Sequence, residues 1–341
     1  MMPKLCSRLA LAIIANLACL PAFGDVSVRE ANSRTEIFVT GEITSDTRDE
    51  IAQITRSVRG PAVVYFDTIG GDLLSGLELG RIIRRSGFAT DVGRATGSSG
   101  VAPGKCHSVC TMSYAGGYFR YLQPGSQLGV HRFYRNGRTG ASDLDVGQVM
   151  SAAITGYLTE MGIDLGLFEV MVKAGRGQMI MLSSDQIARF RMANFGFQPP
   201  SWGIEGAKGI VYLKGEQESF NGLGKVLMTC AKGGQVKFSA LFNAGARNSA
   251  IIASNKGNSL RTNDRFLPVN QLSQAPVISG DFILASFIPD QNLIFEIRSA
   301  THVGFAFHGD QSSTFHGFLV DKRGNEDMVS SFIQHCQGVG R

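Results

Sequence analysis

The chain has 341 residues, a formal net charge of +5, 18% charged residues, 43% hydrophobic residues and 42 glycines. This composition excludes an intrinsically disordered chain, which would need fewer apolar and more charged residues. The charge excess is too small to indicate nucleic acid or an anionic membrane as a partner. The length is sufficient for two domains.

The first segment, residues 1–24, has the pattern of a secretory signal peptide. A positive region that contains Lys4 and Arg8 precedes an apolar stretch, which ends in small residues suited to cleavage before Asp25. The apolar stretch is shorter than the ~20 residues of a membrane span. We therefore expect an exported protein, and the periplasm as its compartment.

The first half of the mature chain alternates between strand-like and helix-like periodicity. Four apolar or alternating segments predict strands and the segments between them predict helices: strands at 36–43, 62–66, 87–92 and near 106, and helices at 45–58, 73–83, 108–117, 143–173 and 182–193. Ser45 or Asp46 is the expected cap of the first helix. Alternation of this kind favours βαβ units in a mostly parallel, right-handed arrangement.

The residue pattern of the sequence changes at Gln198-Pro199-Pro200. Short alternating segments follow, separated by glycine, asparagine and serine clusters, and they predict antiparallel strands at 210–213, 224–229, 236–242, 282–287, 293–298, 302–307 and 314–320. A closing helix is expected at 326–336. The predicted domains are residues 30–197 and 198–341.

Cysteine usage supports export. Outside the signal segment the cysteines are Cys106, Cys110, Cys230 and Cys336. An even number in an exported protein indicates two disulfides. Helical spacing would bring Cys106 within bridging distance of Cys110, and we expect the other bridge to join Cys230, near the start of the second domain, to Cys336 on its last helix.

Three short segments of the first domain carry candidate chemistry. They are a diglycine turn at Gly70-Gly71, a serine at a helix start, Ser108, and a histidine after a short strand, His131. Taken singly, each has an ordinary structural explanation: a tight strand-to-helix turn, a helix cap and a structural histidine.

The order and spacing of these three segments closely resemble those of the Clp protease proteolytic subunit and its crotonase-like relatives. The resemblance extends over residues 36–195, and the Cys-x-Ser-x-Cys frame is more like a group of exported Clp-like proteins than the cytosolic protease. It implies the α/β class: a crotonase/Clp-peptidase-like domain of the ββα type, here followed by a smaller, mostly-β domain.

The resemblance also implies roles for individual residues. Ser108 matches the nucleophile and His131 the general base, while the backbone N–H groups of Gly71 and Val109 match the oxyanion hole. The implied function is an exported serine hydrolase, a peptidase in the first instance. The alternative is a catalytically inactive Clp-like module that binds or assembles partners in the periplasm.

The third member of the usual triad is missing from its expected position. Met179 stands where the family has aspartate, and a thioether cannot orient an imidazole or stabilise its cation. The substitutes to consider are Asp143, Asp145, Asp164, Asp185, a backbone carbonyl or a water molecule. The diglycine turn also has Ile69 in place of the family's usual proline.

The expected partners follow from the resemblance and the compartment. A peptide or protein is the expected substrate, and the family's rings and trimers favour a homo-oligomer. Export separates the protein from cytosolic CoA and from an ATPase partner, so neither is expected. No cofactor is expected, and a metal site at Cys106, His107, Cys110 and His131 is disfavoured because it would occupy the nucleophile position and lacks a paired Cys-x-x-Cys.

Overall fold

The computed structural model describes residues 25–31, 34–133, 143–175, 177–207, 209–309 and 315–338. They divide into two compact units. The first comprises the described residues of 1–118 and Gln123–Gln186, and the second comprises Phe119–Leu122 and the described residues from Ile187 onward. The predicted signal peptide lies outside the described residues, and the domain limits 30–197 and 198–341 stay predictions.

The first unit is built on one sheet. Its strands are β1 (Asp25–Ala31), β2 (Arg34–Ile43), β3 (Ala62–Gly71), β4 (Ala89–Thr96), β5 (Gly100–Pro103), β6 (Lys105–His107), β7 (Gln127–Val130) and β8 (Ile180–Met181). The order is β1-β2-β3-β6-β7-β8, and β4 pairs with β3 and β5. Pairing from β2 through β3 and β6 to β7 is parallel, whereas β1 and β8 are antiparallel to their neighbours.

Helices connect these strands. They are α1 (Ser45–Ser57), α2 (Leu73–Arg85), α3 (Val109–Ala115), α4 (Asp143–Glu160) and α5 (Gly166–Lys173), and α6 (Ser184–Arg189) follows β8. The start of β3, from Ala62 to Tyr65, is buried throughout, as expected of a parallel strand covered on both faces. Helix α3 is also buried along its whole length, so the element that follows Ser108 belongs to the core.

Two local predictions in this unit are wrong. The cap of α1 is Thr44, not Ser45 or Asp46, because the side chains and backbone N–H groups of Thr44 and Thr47 bond reciprocally. The helix predicted at 143–173 is two helices, α4 and α5. Gly162 has a φ of 68°, which ends α4, and Asp164 accepts a hydrogen bond of 2.8 Å from the N–H of Gly166 at the start of α5.

The second unit is mostly β. Its strands are β9 (Ser201–Ala207), β10 (Ile210–Ser219), β11 (Gly222–Ala231), β12 (Gln235–Asn243), β13 (Gly257–Thr262), β14 (Arg265–Pro268), β15 (Gln274–Ser279), β16 (Phe282–Phe287), β17 (His302–His308) and β18 (Phe315–Asp321). They form antiparallel sheets of order β15-β16-β12-β11-β10-β9 and β14-β13-β17-β18. Its helices include α7 (Asn248–Ser254), α8 (Gln291–Ser299) and α9 (Glu326–Gly338).

The segment predicted as a strand at 293–298 is helix α8. Asp290 caps it by accepting from the N–H of Leu293 at 2.8 Å, and Ile294 and Ile297, three residues apart, are buried on one face. Periodicity over six residues does not separate a short helix from a strand. The N-cap at Asp290 is the local feature that favours the helix.

The whole chain is thus a mixed α/β protein with several sheets. A phenylalanine-rich core unites the second unit, with Phe238, Phe242, Phe287, Phe305 and Phe307 all buried. Within the described residues, no helix combines the length and apolarity that a bilayer span requires.

Candidate active site

Ser108 stands at the sharp turn between β6 and α3. Its φ of 59° and ψ of −128° lie in a region that residues with a side chain rarely adopt. Such a conformation costs about 1–3 kcal/mol and persists only where the surroundings impose it. The turn lifts the side chain out of the strand direction and places it at the N-terminus of a helix, where the peptide dipoles favour negative charge.

The hydroxyl of Ser108 is in hydrogen-bonding contact with the ring of His131. The distance from Ser108 Oγ to His131 Nε2 is 2.7 Å. Twenty-three residues separate the two in sequence, and parallel pairing of β6 with β7 brings them together. The distance is within the range needed for a base that removes the hydroxyl proton.

The other ring nitrogen of His131 faces a backbone carbonyl. Nδ1 lies 2.7 Å from the main-chain oxygen of Arg132. A carbonyl oxygen can only accept, so Nδ1 carries the proton in this hydrogen bond. In the neutral ring Nε2 is then unprotonated and accepts from Ser108, which is the tautomer that a general base requires.

The diglycine turn closes over the serine. Gly70 and Gly71 have φ angles of 115° and 150°, which are accessible to glycine alone at ordinary cost. A Cβ on Gly70 would lie 2.7 Å from the Cβ of Ser108, and one on Gly71 would lie 2.1 Å from the oxygen of Ile43. Neither position can accept a side chain while the turn stays next to the serine.

The two predicted oxyanion donors occupy the ends of elements at this turn. In the pairing with β2 it is the N–H of Asp72, not of Gly71, that donates to the oxygen of Ile43, at 2.9 Å. Val109 begins α3, where the N–H has no acceptor within the helix.

A disulfide and a threonine fix the serine between its strand and its helix. Cys106 and Cys110 are bridged and completely buried on either side of Ser108. Thr111, also fully buried, donates through Oγ1 to the oxygen of Gly129 at 2.9 Å, and the same oxygen accepts from the N–H of Ser108 at 2.8 Å. The strand that leads to His131 and the turn that carries Ser108 are therefore tied at one atom.

Met179 lies at the end of the sheet next to the histidine. Val130 pairs with Ile180 in the β7–β8 register, so one further step along both strands brings Met179 opposite His131. The side chain of Met179 reaches Gly129, where a Cβ would meet its Cγ and Sδ at 3.1 Å. Met179, at the position where the resemblance implies an aspartate, therefore places its thioether against the strand that leads to His131.

The alternative aspartates lie in separate places. Asp145 and Asp185 are exposed near the starts of α4 and α6, and Asp164 is engaged with the N–H of Gly166. Of Asp143 only the backbone is described. The described geometry assigns Nδ1 of His131 to the carbonyl of Arg132, one of the substitutes that the sequence left open.

His107, which the sequence named only in a disfavoured metal site, is a further member of this region. Its ring packs against Gly129, and its Nε2 is buried without a hydrogen-bond partner. Burial, and secondarily the positive charge of Lys105, lower the pKa of His107. The neutral ring is therefore favoured beside the serine, where it adds no charge to the site.

Both expected disulfides are present. Besides the bridge next to the serine, Cys230 in β11 is joined to Cys336 in α9. Arg132, Thr111 and Gly129 also contribute to the site but were not predicted. The sequence shows only that Arg132 follows His131. The contact of Thr111 with Gly129 joins residues 18 positions apart, which no local pattern indicates.

Comparisons with known proteins add little at the level of sequence. No family model matches the chain, and no curated protein matches it. Among solved structures, the chain is similar to 1510-N, a membrane-bound stomatin-specific protease, in a serine-to-alanine mutant form. The identity is 16%, the match covers 46% of this chain and 75% of the other, and the TM-score is 0.35.

Proposed function

We propose that this protein is an exported serine hydrolase that acts as a peptidase, with Ser108 as nucleophile and His131 as general base. The observation that carries the proposal is the 2.7 Å contact between Ser108 Oγ and His131 Nε2, in the tautomer imposed by the carbonyl of Arg132. A serine that served only as a helix cap would instead accept from an N–H of its own helix, and Ser108 makes no such cap bond.

The proposed reaction uses only groups of this site and water. Ser108 Oγ forms a bond to the carbonyl carbon of the substrate while its proton passes to His131 Nε2, and the developing oxyanion accepts from the N–H groups of Gly71 and Val109. The C–N bond then breaks as Nε2 returns the proton to the amine. Water attacks the resulting ester and gives a proton to Nε2. The ester C–O bond then breaks as Nε2 passes that proton to Ser108 Oγ, which releases the acid and restores the free serine.

We further propose that the first unit has the crotonase/Clp-peptidase architecture. The three motifs of the resemblance meet at one point of the unit, since Gly70 and His131 both contact Ser108. The parallel run from β2 to β7, with α1, α2 and α3 connecting its strands, supports the same architecture. The two disulfides support export to an oxidising compartment.

A peptide substrate is supported by the surroundings of the turn. Ile69 and Leu74, on either side of Gly70-Gly71, are 74% and 58% exposed. Large exposed apolar side chains beside a reactive group are suited to contacts with the side chains of a bound chain. A homo-oligomer, as the family tends to form, belongs to the same proposal.

The test of the proposal is covalent labelling of the mature, oxidised protein with a fluorophosphonate. We expect Ser108 to label between about pH 6 and 9. Ser108→Ala and His131→Ala should abolish labelling. Ser113→Ala is the matched control, because Ser113 lies on the same helix but its hydroxyl is buried against the oxygen of Gly76 at 2.9 Å.

Absence of labelling in the wild-type protein would overturn the hydrolase proposal. It would favour the inactive binding or assembly module. The observation that supports that module is Met179, which stands where the resemblance implies an aspartate. Labelling that persists in Ser108→Ala would also overturn the assignment of the nucleophile.

A further inference from the structure

The side chain of Arg132 reaches across to helix α5. Its Nε and Nη2 donate to the main-chain oxygen of Val172 at 3.1 and 2.6 Å. Both donors meet one acceptor, so the guanidinium is held at two of its nitrogen atoms. Arg132 is exposed, so water alone would solvate its guanidinium. The two hydrogen bonds to Val172 are therefore not required to satisfy a buried charge.

The main-chain oxygen of Val172 is an acceptor that can hold the Arg132 side chain in place. Val172 lies in the last turn of α5, where carbonyl oxygens have no partner within the helix and carry partial negative charge. The helix itself is anchored, because Leu167 and Met171 on its inner face are buried. The hydrogen bonds from a cationic group to these oxygens are stronger than those between neutral groups.

The main chain of the same residue holds the imidazole. The oxygen of Arg132 accepts from Nδ1 of His131 at 2.7 Å, so one residue carries both the attachment to α5 and the acceptor for the base. If the side chain were free, the peptide between Arg132 and Phe133 could rotate and remove that oxygen from the ring.

We propose that Arg132 is the positioning residue of this site: by binding the end of α5 it fixes the carbonyl that keeps the proton of His131 on Nδ1. The inference rests on the proposed function for its catalytic consequence but not for the tautomer. It assigns to a neutral backbone oxygen the orienting part of the role that a carboxylate fills in a triad. A neutral oxygen supplies the carboxylate's other part, stabilising the imidazolium, only weakly.

The first experiment observes the tautomer directly, by nitrogen-15 NMR of labelled histidine in the mature protein. We expect the wild-type His131 to show a protonated Nδ1 and an unprotonated Nε2 at neutral to alkaline pH. Arg132→Ala should shift the population towards protonated Nε2, the form that free imidazole side chains prefer, and Arg132→Lys should restore part of the original population. His131→Gln identifies the resonance.

The matched control is Arg59→Ala. Arg59 is exposed and donates to the backbone oxygens of Arg56 and Val58 at 2.7 and 3.2 Å. The Arg59→Ala variant therefore loses hydrogen bonds of the same kind in another part of the unit. We expect no change in the His131 signals. A protonated Nε2 in the wild-type protein, or unchanged tautomers in Arg132→Ala, would overturn the inference.

The second experiment measures the rate of fluorophosphonate labelling. Arg132→Ala should lower the rate constant about 10- to 100-fold, the loss expected when a reacting group is misplaced by about an ångström. The factor should be constant across alkaline pH, because the ratio of the two neutral tautomers does not depend on pH. A shifted pH midpoint without loss at the plateau would contradict the inference.

Failure of the two proposals is distinguishable. A wild-type protein that shows the expected tautomer but does not label contradicts the hydrolase function and leaves the positioning of His131 supported. A wild-type protein that labels, with Arg132→Ala labelling at the same rate and with the same melting temperature, contradicts the positioning role alone.

Discussion

Thr111 donates its hydroxyl hydrogen to the main-chain oxygen of Gly129 across 2.9 Å, and so joins the helix of Ser108 to the strand of His131. The same hydroxyl lies 3.1 Å from the oxygen of Cys106. Ser108 and His131 are therefore held in register by a buried group that takes no part in the proposed proton transfer.

Thr111→Val tests this tie with little change of shape. Because the hydroxyl is completely buried, we expect its loss to reduce the free energy of unfolding by about 1–3 kcal/mol and to slow labelling of Ser108. Urea denaturation and labelling kinetics measure the two effects. Thr159→Val, which removes an exposed hydroxyl bonded within α4, should change neither by a measurable amount, and equal effects in both variants would contradict the role of the tie.

Met179→Asp should increase the labelling rate about tenfold or more, because a carboxylate beside His131 stabilises the imidazolium formed during attack. In serine proteases with a Ser-His-Asp triad, disabling the aspartate lowers turnover about 10⁴-fold. The gain here should be smaller because the carbonyl of Arg132 already orients the ring. Met179→Asn is the matched control, since it adds a polar side chain without charge. Equal rates in the two variants would show that the position does not reach the imidazole.

Removal of the disulfide beside Ser108 should affect stability and reactivity together. For a loop as short as that closed by Cys106 and Cys110, chain-entropy models give about 2 kcal/mol. Since the bridge also restrains the unusual backbone of Ser108, we expect Cys106→Ala/Cys110→Ala to label more slowly even at temperatures where it is fully folded.

The second disulfide provides the comparison. Cys230 and Cys336 are 106 residues apart, for which the same models give about 4–5 kcal/mol. Cys230→Ala/Cys336→Ala should therefore lose more stability, as judged by the melting temperature, while labelling of Ser108 at low temperature is unchanged. If labelling fell equally in both double variants, the bridge at the serine would have no special effect on reactivity.

The stability of the first unit should depend on pH through Glu36. Its side chain is only 3% exposed, and Arg29 and Arg34 donate to it at 2.7 and 2.9 Å. Burial alone would raise the pKa of Glu36, but the hydrogen bonds from Arg34 and Arg29 outweigh it, so the pKa lies below the ordinary 4.5. The stabilisation is therefore present above pH 4.5 and is lost as the pH falls through the lower folded-state value.

Glu36→Gln measures this contribution. Because hydrogen bonds to a charged group are lost, we expect it to reduce the free energy of unfolding by about 2 kcal/mol near neutral pH, and the difference from wild type should shrink as the pH falls below 4.5. Urea denaturation over this range provides the measurement. Glu78→Gln, at an exposed pair with Arg85, should cost less than about 1 kcal/mol. A Glu36→Gln difference that stayed constant with pH would contradict the assignment.

The local pattern of the sequence was sufficient for much of the fold. The alternating pattern at 36–43 and the continuous apolar run at 62–66 predict strands, and these segments lie within β2 and β3. The change after Gln198 likewise predicted the antiparallel sheets of the second unit. Failures occurred where a cap or a glycine overrode periodicity, as at Asp290 in α8 and Gly162 after α4.

The candidate site shows the same division. The order and spacing of three short segments, through their resemblance to the Clp protease proteolytic subunit, were enough to single out Ser108 and His131. The number and positions of the cysteines were enough to predict both bridges. The partner of His131 Nδ1 was not decided by the sequence, which left four aspartates, a carbonyl and water as equals. That partner is a backbone oxygen, a group that every residue possesses and that only spatial position distinguishes.

The attachments of Arg132 to Val172 and of Thr111 to Gly129 were decided by tertiary structure for the same reason. Their acceptors are carbonyl oxygens left available at a helix end and at a strand end, and no residue type marks such an oxygen in advance. Hydrogen bonding requires an approach within a few tenths of an ångström of the ideal distance. Periodicity predicts which elements form, but only the packing of those elements brings a particular donor to a particular oxygen.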